Sequence, residues 1–148
     1  MPLLRGRRTC TTPPIPAHLA RPFSPFVDEV PRADAAGTVW VEPVLVVDVD
    51  PQANATDGLG VTDPDFTTND VIADARPGVA ADAVTPSPWP GVDLIPAERA
   101  LEHRGPHEGP HSAQRLRVAL TGVPQRYDVV LIDCPPSLGL LTINAFVA

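Results

Sequence analysis

No lysine occurs in this sequence: the eleven basic residues among its 148 are all arginine. Aromatic residues are scarce at 5%, and only two cysteines are present, Cys10 and Cys134. No apolar run approaches the ~20 residues a membrane-spanning helix requires, so no membrane association is expected. Two cysteines make no disulfide framework, which points to a reduced, cytoplasmic chain. The opening Met-Pro-Leu-Leu-Arg-Gly-Arg-Arg puts its charge behind a two-leucine stub with no apolar core after it, so no secretory signal is expected. A formal net charge of −7, with no lysine, argues against strong nucleic-acid binding by the chain alone.

Proline, in contrast, is abundant at 20 residues. Eight fall within 1–43, where the net charge is +1, and twelve within 44–148, where it is −8. The length suits one domain with a real core. Residues 1–43 carry neither a 3.6-residue nor a sustained two-residue apolar period, and their prolines remove backbone donors at short intervals. That stretch is expected to be mostly irregular, with 38–41 as a short extended piece.

From residue 44 the texture changes. Val-Leu-Val-Val-Asp-Val-Asp at 44–50 reads as a strand buried on both faces, stopped by Pro51. Short helices are expected at 52–57 and 68–75, the second capped by Thr67 or Thr68. Residues 76–91 read as a Pro/Gly loop, 92–95 as a short strand closed by Pro96, and 97–103 as the start of a helix. Ser112 can cap a further helix carrying Leu116, Ala119 and Leu120 on one side. Residues 127–133 form another strand ending in a carboxylate, and 138–148 begin a last helix. Strands alternating with helices imply an α/β fold with a parallel sheet flanked by helices.

Two strands ending in aspartate carry the chemical signal. Ligands of parallel α/β sheets bind beyond the carboxyl ends of the strands, so Asp48, Asp50 and Asp133 should face one crevice. Carboxylates there can hold Mg²⁺ through its waters and orient a water toward a phosphate. The alternative is that each aspartate merely ends its strand and caps the next turn.

Val44 to Gly60, Val-Leu-Val-Val-Asp-Val-Asp-Pro-Gln-Ala-Asn-Ala-Thr-Asp-Gly-Leu-Gly, resembles the strand and loop after the first helix of ParA-type partition ATPases. Tyr127 to Ala148, beginning Tyr-Asp-Val-Val-Leu-Ile-Asp-Cys-Pro-Pro-Ser, is similar to that family's Walker B region, and Val-Asp-Leu-Ile-Pro-Ala at 92–97 to the strand between them. The resemblance covers about 44–148, loosely over 98–125. It implies a partial P-loop NTPase fold of the deviant Walker A type, with 44–148 as a partial domain cut off at its C-terminus. It further implies ATP and Mg²⁺ as cofactors. Asp50 would position the attacking water, Asp133 would hold the metal through a water, Asp48 would lie near the metal, and Asn54 would sit in a nucleotide-responsive loop. The implied partners are a centromere-binding ParB-type protein, nonspecific DNA and a second copy in an ATP-dependent dimer.

Two departures qualify this. Ala53 stands where the family usually has glycine, a cost if the position needs φ > 0. More seriously, the family's Lys-Gly-Gly-x-Gly-Lys-Thr-Thr loop, whose amides and lysines cradle phosphates, would fall around 25–26, where there is neither glycine nor lysine. Gly6-Arg7-Arg8-Thr9 is only a distant echo of it. The chain therefore reads either as a ParA-type ATPase cut at both ends or as a non-catalytic regulatory or interaction remnant. A phosphate loop encoded in another reading frame just upstream of Val44 would favour the first. A metal-dependent hydrolase without a phosphate loop finds no further ligands.

Smaller features read as structural. His103, His107 and His111 recur every four residues, but Gly105, Pro106, Gly109 and Pro110 forbid the helix that would gather them. Cys134 reads as a small buried filler. Arg99, Arg104, Arg115 and Arg117 read as a solvated helical face.

Overall fold

The computed structural model describes residues 43–104 and 111–148, which belong to one compact unit. Four strands form one sheet: β1 (Val44–Asp48), β2 (Thr85–Pro86), β3 (Val92–Ile95) and β4 (Val129–Asp133), in the order β2-β3-β1-β4. β1 pairs in parallel with both β3 and β4, whereas the two-residue β2 runs antiparallel to β3. The three strands expected from sequence thus lie side by side and parallel. Residues 1–42, which include the expected extended piece at 38–41, and residues 105–110, which include His107, lie outside the described residues.

Alternation along β1 sends Leu45, Val47 and Val49 into the main core, fully buried. The parallel register puts Val130 opposite Leu45, Ile132 opposite Val47, and Ile95 opposite Val47 on the other side, so all share that face. Against it pack Val71 of α2 (Thr68–Asp74) and Leu116 and Ala119 of α3 (Arg115–Ala119). Ala80 and Ala83 of the 3-10 turn Val79–Ala83 complete the layer. A satellite core joins Ile72 of α2, Ala97, Leu101 and Leu141 of α4 (Leu140–Val147).

Several elements differ from expectation. β1 ends at Asp48, two residues early, because the Asp50 amide turns back to the Asp48 carboxylate. The 76–91 segment, expected as loop, holds the 3-10 turn and β2. Residues Arg99–His103 form a 3-10 turn in place of a helix start. Two of the four arginines expected on a solvated face are tied down. Arg115 donates to the Ile72 and Ala73 carbonyls at the end of α2, and Arg104 donates to Asn69 at 2.6 Å. Long, planar donors find helix-terminal carbonyls and amide oxygens as readily as they find water. Arg99 and Arg117 are exposed, as expected. No helix among the described residues is long and apolar enough to cross a membrane.

Candidate functional site

The parallel ladder between β1 and β4 sets Asp48 directly opposite Asp133, and it extends one step further through the Val49 amide donating to the Asp133 carbonyl at 2.8 Å. Asp50 leaves the sheet one residue later. Three carboxylates therefore arise from the carboxyl ends of two adjacent parallel strands, where an α/β sheet offers its ligand crevice. Their mutual influence is visible at Asp133, whose carboxyl is held above its ordinary pKa. Partial burial is the main cause, followed by repulsion from Asp48 and then Asp50, while a hydrogen bond from the Cys134 amide opposes them.

The turn after β1 is tightly specified. The Asp50 side chain accepts the Gln52 amide at 2.9 Å, and the Asp50 carbonyl accepts the Ala53 amide at 2.9 Å. Ala53 then adopts φ +54°, ψ +30°, the left-handed region, immediately before α1 (Asn54–Gly58). The glycine usual at this position in the family matches that conformation. Asn54 opens α1 and is exposed.

Asp48 is the buried member of the three. It has no exposed surface, and its oxygens are taken by the Asp50 amide at 3.0 Å, the Thr56 amide at 2.9 Å and the Thr56 hydroxyl at 2.8 Å. A buried carboxylate needs several donors around it, and here one comes from the turn after β1 and two from Thr56 of α1. Asp50 is half-buried and Asp133 exposed, so these two present oxygens to solvent.

Among the described residues no three His, Cys, Asp or Glu side chains are grouped to hold a metal by themselves. Magnesium needs no such cage, since it keeps several waters and takes one or two carboxylates together with phosphate oxygens. Exposed Asp133, crowded by like charge, and half-buried Asp50 fit that mode. A triphosphate does not fit in the same way: the described residues provide no glycine-rich loop, and the sequence provides no lysine.

Sequence reading missed Thr56 and offered Thr68 only as a helix cap, a place Thr67 takes; Thr56 and Thr68 are both buried. Thr68 donates its hydroxyl at 2.6 Å to the Asp48 carbonyl and lies 3.1 Å from the Pro96 carbonyl. It also missed Asn144, fully buried in α4, whose amide donates to the Ser112 and Leu140 carbonyls while its oxygen accepts the Leu116 amide. The only local signal was a polar residue inside an otherwise apolar stretch, which surface residues also give. His103 and His111 are exposed, and Cys134 packs half-buried against the main core.

A family profile described as "AAA domain" matches residues 41–148. The sporulation initiation inhibitor protein Soj of Bacillus subtilis is 42% identical over 109 residues, covering 71% of this chain and 42% of that protein. The chromosome partitioning protein ParA of Caulobacter vibrioides is 42% identical over 113 residues, covering 72% and 42%. Among solved structures, apo McdA of Cyanothece superposes with a TM-score of 0.61 at 29% identity, over 70% of this chain and 42% of that one. The cobyrinic acid a,c-diamide synthase of Mycobacterium smegmatis with bound ADP and magnesium gives 0.61 at 34% identity, over 70% and 42%. The chain thus spans about two fifths of the length of the curated relatives it matches.

Proposed function

The chain belongs to the ParA family of partition ATPases, and from that premise we propose that it supplies the hydrolytic side of a nucleotide site serving chromosome or plasmid partition. Asp50 orients the attacking water, and Asp133 holds Mg²⁺ through a water. Asn54 lies in the loop that follows nucleotide state. The supporting observation is the β1/β4 register, which sets Asp48 opposite Asp133 at the carboxyl ends of adjacent parallel strands, with Asp50 two residues on and near enough to repel the Asp133 carboxylate.

When bound, magnesium neutralises charge on the transferring phosphoryl oxygens. Asp50, fixed by the Gln52 amide on one oxygen, is placed to accept a hydrogen bond from water with the other. The described residues supply no phosphate cradle, no lysine exists in the sequence to neutralise phosphate, and arginine does not replace a row of glycine-loop amides. We therefore read this chain by itself as lacking turnover, which also favours the second reading, a non-catalytic interaction remnant. A ParB-type partner, nonspecific DNA and an ATP-dependent dimer complete the family mode and are proposals for this chain.

A chimera tests the reading. Residues 1–43 are replaced by the corresponding N-terminal segment of the Caulobacter ParA, and that relative's remaining C-terminal half is appended after Ala148. ATPase activity is expected, with Asp50→Ala abolishing turnover while sparing ATP binding, and Asp133→Ala weakening Mg²⁺-dependent binding as well. Turnover that survives Asp50→Ala contradicts the role assigned to Asp50. A folded chimera that binds ATP without hydrolysing it favours the remnant.

A further inference from the structure

The buried carboxylate at the end of β1 is matched by an equally buried hydroxyl eight residues on, and together they explain how the intervening loop keeps its shape. Thr56 has three roles at one point. Its amide and its hydroxyl both donate to Asp48 Oδ2, at 2.9 and 2.8 Å, and its oxygen accepts the Ala97 amide at 2.9 Å. Because the hydroxyl has one proton and two lone pairs, donating to Asp48 leaves it an acceptor toward Ala97, so the polarity of the chain is fixed.

The anchor reaches beyond the loop. Ala97 follows β3, and the carbonyl of neighbouring Pro96 accepts the Thr68 amide at 2.7 Å. Thr68, the first residue of α2, also donates its hydroxyl to the Asp48 carbonyl. The carboxyl ends of β1 and β3 and the start of α2 are thus joined through groups with almost no solvent contact: Asp48 and Thr68 at 0% exposure, Thr56 at 5%. In such surroundings a missing partner leaves a desolvated charge or amide unpaired, which makes the arrangement close to all-or-none.

We propose that Thr56 is a positioning residue for Asp50: with Asp48 it anchors the Asp50–Asn54 turn to the end of β3, dividing the aspartate pair into a buried anchor and a solvent-facing carboxylate. Its functional meaning rests on the role given to Asp50 above, but the anchor itself is a property of the chain without nucleotide. The two can therefore fail separately.

The experiment is residue-resolved hydrogen exchange by NMR on the full 148-residue chain, comparing the parent with Thr56→Val and Thr56→Ser. Valine keeps the shape and deletes the hydroxyl; serine keeps the hydroxyl. Thr56→Val is expected to speed exchange of the Asp50, Thr56 and Ala97 amides about tenfold or more relative to the Val47 amide in β1. Thr56→Ser is expected to restore them. Equal acceleration throughout the sheet, no local acceleration, or failure of serine to rescue would each overturn the proposal. Should the valine variant fail to fold, the parent decides: the Thr56 hydroxyl proton is expected as a slowly exchanging resonance. Exchange as fast as that of an exposed threonine such as Thr62 would overturn the anchor. None of these readings depends on ATP, so they stand apart from the outcome of the chimera.

Discussion

At the scale of single residues, Ala53 and Asp133 carry strain of two kinds. Ala53 holds φ +54°, where a Cβ crowds the backbone, while glycine pays only its larger unfolded-state entropy. Ala53→Gly is therefore expected to stabilise the fold by about 0.5 kcal/mol, read as a higher urea midpoint at unchanged slope. A lower midpoint would show that the left-handed turn is not formed in solution. Asp133 has a raised pKa, so the folded chain holds that proton more tightly than the unfolded chain. Its contribution is intact below the ordinary carboxylate range and is lost as pH rises through the raised value. Asp133→Asn should thus raise the melting temperature at pH 7 and leave it unchanged near pH 3. The effect should be under about 1 kcal/mol because water and salt screen an exposed group. That Asp133 ends β4 and Asp50 lies just past β1 was legible in the sequence, because a carboxylate ending an apolar run is a local pattern. Thr56 was not, because its partners Asp48 and Ala97 lie 8 and 41 positions away.

Among the elements, β1, β3 and β4 were readable from runs of valine, leucine and isoleucine bounded by proline or aspartate. β2 was not: it is two residues long, one of them proline, and exists only by pairing Thr85 and Pro86 with Leu94 and Asp93. Its signal is the partner strand, not its own composition. The contact between α3 and α4 was equally hidden, since it depends on Asn144 reaching Ser112 and Leu116 across the fold. Asn144→Ala would leave the Leu116 amide and the Ser112 carbonyl unpaired in a buried place and is expected to cost about 2–3 kcal/mol. Chemical denaturation checks this, and a cost below about 0.5 kcal/mol would mean that α4 does not dock as described.

At the scale of the whole molecule, the described residues carry an apolar surface that their core does not use. On β4, Val130 and Ile132 pack inward, whereas Val129 is 45% and Leu131 55% exposed; Leu138 and Phe146 reach 91% and 77%. A parallel sheet is ordinarily covered on both faces. Apolar side chains exposed in this number favour association. Analytical ultracentrifugation of the chain should show concentration-dependent self-association, reduced by Leu131→Lys with Phe146→Glu; a monomer at all concentrations would contradict this.

On the proposed reading Asp50 and Asp133 serve water and metal, while the described residues and the lysine-free sequence offer no cradle for phosphate. Titration calorimetry of ATP·Mg²⁺ into the 148-residue chain tests it most directly. No binding in the micromolar range is predicted for the chain, with micromolar binding appearing once the relative's N-terminal segment replaces residues 1–43 in the chimera. Micromolar binding of ATP·Mg²⁺ by the chain itself would contradict the claim.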